Sequence, residues 1–141
     1  MSSIDVNEFA RKMIGNSFVY KVGLESGFPF IIFLNSENDE RVSLRINGDF
    51  RLLPELVLPN NLSADHKEYI MLLELHVEAI ESLICADNGD LTITFESGRQ
   101  LWVEGFPNDS GIYEPWLLFN TGNQAQLICQ RGGDYAFVQG N

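Results

Sequence analysis

Apolar positions along the chain predict two short helices. Residues 6–14 carry apolar side chains at helical spacing, and Asp5 with Glu8 forms a candidate capping box at the start of this stretch. Residues 64–76 mix apolar and polar positions in a way that also predicts a helix, with Ser63 as a candidate N-cap.

The rest of the chain alternates apolar and polar residues, which is typical of strands. Residues 28–34 are apolar on both faces and indicate a strand that is buried on both sides. Asn47-Gly48 is typical of a hairpin turn, and it leads into residues 50–57, which Pro54 confines to a sheet edge. The clearest pattern, residues 80–103, predicts a three-stranded meander. Further strands are predicted near 18–24, 42–46, 113–119, 126–130 and 135–138.

These elements predict an α+β fold in one domain, residues 1–141. We expect a curved antiparallel sheet of about eight strands, arranged as a sandwich or half-barrel, with two helices packed on it. A chain of 141 residues suits one domain, because two domains of half this length would bury only small cores.

The net charge of the chain restricts the classes of molecule that it is expected to bind. Twenty acidic and nine basic residues give a net charge of −11. Residues 1–51 carry a net charge of −1, whereas residues 74–114 hold nine acids against Arg99 alone. This acidity argues against nucleic acid and anionic membranes as partners. It favours a docking surface for a basic protein, and solubility alone is the competing interpretation.

Sequence motifs for catalysis or cofactor binding are absent. The chain has no glycine-rich phosphate loop, no nucleophile elbow and no zinc-type cluster, so we expect no cofactor and no metal. Cys85 and Cys129 lie in predicted strands and are expected to be buried thiols; a disulfide between them is the less favoured alternative. His66 and His76 stand alone. The amino terminus lacks the basic and apolar regions of a signal peptide, which predicts a cytoplasmic protein.

The run Asn88-Gly89-Asp90-Leu91-x-Ile93-x-Phe95-x-x-Gly98-x-x-Leu101-x-Val103, followed by Tyr113-Glu114-x-Trp116-x-Leu118, resembles small bacterial proteins found in polymorphic-toxin loci. These are immunity proteins, including those of contact-dependent growth inhibition. The resemblance covers residues 80–118 and extends weakly through Gly132-Gly133. It implies a protein without catalysis of its own that neutralises the C-terminal domain of a cognate toxin by tight binding.

A basic nuclease is the kind of toxin that this acidity suits, because an acidic inhibitor can mimic phosphate and steer fast association. Trp102 alternates with Leu101 and Val103, so it should point away from the core as an apolar anchor. The residues that we expect to contact the toxin are Glu37, Asp39, Glu40, Asp87, Asp90, Trp102, Asp109 and Glu114.

Two other functions stay open at the level of the sequence. The chain could be a small-ligand-binding β protein or small enzyme with a pocket in the curved sheet, where convergent polar groups would be expected. It could also be an accessory protein whose acidity only keeps it soluble.

Overall fold

The computed structural model describes residues 5–105, 114–130, 132 and 134–140. The α+β class and the two helices are confirmed, but the described residues form ten strands in two open antiparallel sheets rather than about eight in one. In chain order the elements are α1 (Val6–Ile14), β1 (Ser17–Glu25), β2 (Phe28–Asn35), β3 (Arg41–Ile46), β4 (Phe50–Leu53), α2 (Ala64–Leu73), β5 (Ile80–Cys85), β6 (Leu91–Phe95), β7 (Gln100–Val103), β8 (Trp116–Asn120), β9 (Gln126–Cys129) and β10 (Tyr135–Val138).

The larger sheet has the order β1-β2-β3-β8-β9-β10, and the smaller has the order β4-β7-β6-β5. The smaller sheet comes from one continuous stretch of chain that lies between β3 and β8. It contains the predicted meander β5-β6-β7, which is confirmed, as is the terminal hairpin of β9 and β10. Buried residues from both sheets and both helices form one hydrophobic core.

The two sheets meet at β1. Val19 uses both of its backbone groups there: its N–H donates to the carbonyl of Glu78, and its carbonyl accepts from the N–H of Val77. Phe18 forms an isolated bridge with Ala79 in the same place. The segment that follows α2 therefore continues the edge of the larger sheet before it enters the smaller one.

Helix α1 follows the predicted pattern. The carboxylate of Asp5 accepts hydrogen bonds from the N–H groups of Asn7 and Glu8, and the helix ends at Gly15, which has a φ of 59°. The Asn7 side chain binds both backbone groups of Cys85: its amide oxygen accepts from the N–H at 2.6 Å, and its amide nitrogen donates to the carbonyl at 3.3 Å. Asn7 thereby occupies part of the free edge of β5.

Helix α2 begins as predicted and ends earlier than predicted. The Ser63 hydroxyl accepts from the N–H of His66 at 3.2 Å, so Ser63 is the N-cap. The helix stops at Leu73 instead of residue 76, because the N–H groups of Leu75 and His76 bond three residues back and tighten the chain into a turn. This turn carries Val77 to its contact with β1.

The predicted hairpin at Asn47-Gly48 is wrong. β3 pairs with β2 and β8, whereas β4 pairs with β7 in the other sheet. The N–H and the side-chain amide of Asn47 donate to the carbonyls of Pro115 and Glu114, so this segment is tied to the start of β8 and crosses between the sheets. β4 does lie at a sheet edge, as expected, but it ends at Leu53, before Pro54, rather than at residue 57.

Candidate protein-binding surface

The outer face of the four-stranded sheet presents side chains to solvent. Leu101 and Val103 are fully buried and Trp102 between them is half-buried, so the predicted alternation along β7 is confirmed. The strand register places four outward side chains in one row across the sheet: Arg51, Trp102, Thr92 and Ile84. We call the outward side chains of this sheet the Trp102 face.

Trp102 is held at the centre of this face by two neighbours. Its indole N–H donates to one carboxylate oxygen of Asp90 at 3.2 Å, and the other oxygen of Asp90 accepts the N–H of Gly105 at 2.8 Å. The guanidinium carbon of Arg51 lies 5.5 Å from the centroid of the Trp102 ring, a cation–π contact. The ring is therefore fixed by a carboxylate at its edge and already contacts one cation.

Three carboxylates form a second row next to Trp102. Asp90 and Glu104 each lie two residues from Thr92 and Trp102, and therefore on the same face of the sheet. Asp49 lies opposite Glu104, because its carbonyl accepts the N–H of Glu104. We call Asp49, Glu104 and Asp90 the acidic row.

Among the described residues, no cation forms an ion pair with a member of the acidic row. The ion pairs there are Lys12–Glu8, Arg45–Glu25 and Arg99–Glu74, and none includes a member of the row. Burial raises the pKa of Glu68 on α2, and the charges of Asp65 and Asp49 raise it further.

Three of the residues expected to contact a partner, Asp87, Asp90 and Trp102, lie at or beside this face, and Glu114 lies at the same end of the molecule. Asp87 is exposed in the turn that precedes Asp90. The adjoining Gly89 accepts the indole N–H of Trp116 at 2.8 Å, which brings the start of β8 to this turn. Glu114 is exposed two residues before Trp116.

The loop with Glu37, Asp39 and Glu40 lies elsewhere. It joins β2 to β3 at the end of the larger sheet opposite to Trp116, since Val42 pairs with Asn120 whereas Ile46 pairs with Trp116. Glu40 has a structural contact there: its carboxylate accepts the side-chain amide of the buried Asn120 at 3.1 Å. The structure therefore does not bring this loop together with Trp102.

Asp109 lies outside the described residues, so its position relative to the Trp102 face is not assigned. Sequence reasoning missed Asp49, Arg51 and Glu104. Glu104 could have been placed beside Trp102 by alternation alone, but Asp49 and Arg51 required the pairing of β4 with β7.

A tight backbone contact supports the face from beneath. A β-carbon on Gly105 would lie 2.2 Å from the carbonyl carbon of Gly89, so only glycine fits there. The carbonyl of Gly89 also accepts the thiol of the buried Cys129 at 3.5 Å. This contact fixes the turn that carries Asp90.

Both cysteines are buried free thiols, in agreement with the sequence-based expectation. Burial raises the pKa of Cys85 and of Cys129 to about 12, and negative charges nearby add to this effect. The adjacent Tyr135 hydroxyl donates to the carbonyl of Ala86, and burial raises its pKa as well. These groups stay protonated near neutral pH and are poor nucleophiles.

The described residues contain no group of three or more His, Cys, Asp or Glu side chains that could hold a metal ion. They also contain no helix that is long and apolar enough to cross a membrane. An open cleft of about 330 Å³ lies between α2 and the first hairpin and is lined by Lys21, Val22, Gly23, Leu24, Phe30 and Tyr69.

Comparison with known proteins places the chain in a family. A model of a family of unknown function, DUF6188, matches residues 27–139. The chain belongs to DUF6188. The match runs from β2 to β10 and therefore includes the whole Trp102 face of this DUF6188 protein. No curated protein and no solved structure matches the chain.

Proposed function

We propose that this DUF6188 protein is an immunity protein. It binds the C-terminal domain of a cognate toxin, a basic nuclease, and covers the active site or substrate surface of that domain. The observation that carries the proposal is the acidic row beside Trp102. It combines an apolar anchor with three carboxylates that form no ion pair among the described residues.

The chemistry of the face suits a basic partner. Trp102 contacts the guanidinium of Arg51, so its ring lies where a cation can bind it. A lysine or arginine of the toxin that approaches this ring would meet the acidic row next to it. Charge-assisted hydrogen bonds between such groups are stronger than neutral ones, and the field of the acids speeds association.

A nuclease binds the phosphates of its substrate through cations, and carboxylates in a row can occupy the same cations. The protein then acts by binding alone, without a cofactor and without catalysis, in the cytoplasm where the toxin would act. The toxin-locus resemblance of residues 80–118 supports this role, because those residues supply Asp90, Trp102 and Glu104 of the face.

The test is binding to the C-terminal domain of a secreted protein encoded beside this one, measured by surface plasmon resonance with an inactivated domain. We compare two variants that each remove two negative charges. Asp49→Asn with Glu104→Gln neutralises part of the acidic row. Glu37→Gln with Asp39→Asn neutralises the distant β2–β3 loop and is the matched control.

We expect the acidic-row variant to weaken binding by about 10-fold or more, mostly through slower association, and the effect to shrink at high salt. The loop variant should bind nearly as the wild type does. Equal loss in both variants would mean that net charge alone matters, and no binding by the wild type would remove the proposal.

The cleft lined by Lys21 and Tyr69 favours the alternative, a small-ligand-binding protein. A cation and a phenol at the mouth of an apolar cleft suit a small ligand that has an apolar body and one negatively charged group. Thermal stabilisation by such anions, lost in Lys21→Met and kept in the acidic-row variant, would favour the alternative instead.

A further inference from the structure

The outer face of the six-stranded sheet has the composition of a covered surface. Its outward side chains on β2 and β8 are apolar, and so are their inward neighbours apart from Asn35 and the buried Asn120 at the strand ends, so neither strand has a polar outer side. Strands of this kind are normally buried on both faces. Yet the outward side chains are only half-buried or, in the case of Val138, exposed: Phe30, Ile32, Leu34, Leu117, Phe119, Ile128, Ala136 and Val138.

The strand register aligns these side chains in two rows that cross five strands. One row contains Phe30, Arg45, Leu117, Ile128 and Ala136, and the other contains Ile32, Ser43, Phe119, Gln126 and Val138. Most of these side chains lie away from the helices: α1 packs chiefly on β5, and α2 packs on β1 and the adjoining part of β2, where Tyr69 lines the same cleft as Phe30. We call these two rows the β2–β10 face.

The charge of the β2–β10 face differs from that of the rest of the chain. Neither row contains an acid, and Arg41, Arg45 and Lys21 lie in or beside them. The nearby Glu25 is already paired with Arg45 at 3.3 Å. Arg41 lies over the ring of Tyr20, with 5.0 Å between its guanidinium carbon and the ring centroid.

We propose that a second copy of this chain covers the β2–β10 face, so that the protein is a symmetric dimer. Two molecules that each carry a charge of −11 repel each other through most of their surfaces, and this face is where they can meet without opposing acids. Ser43 is small and lies between Ile32 and Phe119, which leaves room for apolar side chains of the other copy to interdigitate.

The size of the face agrees with a weak dimer. Five strands spaced by about 4.8 Å, with four to five residues each at about 3.3 Å per residue, give a projected area of about 350 Å² per copy. Two copies together reach about 700 Å², which is the range of weak interfaces. The dimer leaves the Trp102 face free, because that face belongs to the other sheet, so the two proposals are independent.

The test is the molar mass of the full chain by analytical ultracentrifugation over a range of protein concentrations. We expect the wild type to rise from the monomer mass of 15.9 kDa toward twice that value. Ser43→Glu places an acid at the centre of the face, between Arg41 and Arg45, and should give a monomer throughout. Thr92→Glu makes the equivalent change at the centre of the Trp102 face and should leave the dimer intact.

A wild type that stays at the monomer mass up to about 500 μM would overturn the proposal. A folded Ser43→Glu variant that still dimerises would overturn it too, as would equal dissociation by Thr92→Glu. If circular dichroism shows Ser43→Glu to be unfolded, Ile128→Lys in the other row repeats the test with the same expected outcome.

Discussion

Gly105 lies directly against the backbone of Gly89, with no room for a side chain between them. A β-carbon at position 105 would lie 2.5 Å from the carbonyl oxygen of Gly89, and backbone cannot yield as a flexible side chain can. We predict that Gly105→Ala lowers the free energy of unfolding by about 3 kcal/mol, measured by urea denaturation. Gly98→Ala is the control: that site is open and only its φ of 91° is strained, at a cost of about 1 kcal/mol. Equal losses would mean that the contact with Gly89 is not limiting.

The hydrogen bonds of Asp90 give a second prediction. One of its oxygens accepts from Trp102 and the other from Gly105. In Asp90→Asn, the side-chain NH₂ group would face one of these two N–H groups, and that hydrogen bond would be lost. We expect the free energy of unfolding to fall by about 1–3 kcal/mol, because the N–H of Trp102 or of Gly105 loses its acceptor. The emission of Trp102 should change as well, which a Trp116→Phe background would isolate.

The matching control for Asp90 is the exposed Asp87 in the same turn. Asp87→Asn removes the same charge without breaking a described hydrogen bond, so its unfolding free energy should stay within about 0.5 kcal/mol of the wild type. A similar cost for both substitutions would show that charge in the turn, rather than hydrogen bonding, sets its stability.

The contact of Asn7 with the edge of β5 is open to test by hydrogen exchange. Asn7→Ala removes the acceptor for the Cys85 N–H and the donor to its carbonyl. We expect faster exchange of the Cys85 amide and a loss of about 1–2 kcal/mol in stability. Asn16→Ala, an exposed asparagine just beyond the same helix, serves as the comparison. Unchanged protection of Cys85 would argue that α1 does not hold this edge.

Because the pKa values of the two buried thiols are raised, we predict that the protein loses stability at alkaline pH. Their pKa values of about 12 in the folded chain lie above the value of about 8.5 for an unfolded thiol. The folded state therefore holds these protons more tightly, and the stability that results is complete below about pH 8.5 and declines as the pH rises toward 12.

Urea midpoints at about pH 8 and pH 10.5 measure this decline. The double variant Cys85→Ala with Cys129→Ala should lose less stability over the same interval than the wild type, because its unfolded state has no thiol to ionise. Identical slopes in the two proteins would exclude the thiols as the cause.

Local patterns predicted the elements of this fold better than they predicted its pairing. Asp5, Ser63 and the turn at Asn88-Gly89 act within a few residues, so the helix starts and the meander are confirmed. The pairing of Val42 with Asn120 depends on contacts between distant parts of the chain, and for this reason the hairpin predicted at Asn47-Gly48 is wrong. A turn sequence permits a hairpin, but the hairpin does not form when another strand, here β8, pairs with the edge of the first strand.

The candidate site was predictable to a similar extent. Alternation placed Trp102 away from the core, and charge mapping pointed to the turn with Asp90. The acidic row could not be read from the sequence, because Asp49 reaches Glu104 only through the pairing of β4 with β7. The distance between the Glu37–Glu40 loop and Trp102 likewise follows from the strand order, which no local pattern encodes.

The placement of the smaller sheet within the chain has a consequence for synthesis on the ribosome. Strands β4 to β7 are complete when residue 103 has been made, whereas β3 still waits for β8, which begins at Trp116. Pairings between nearby segments form faster than those between distant ones, so the Trp102 face can form while the larger sheet is still missing three of its strands. A nascent chain released early would expose the unpaired edge of β3, which could pair with another chain and cause aggregation. Translation through β10 supplies the strands that cover this edge.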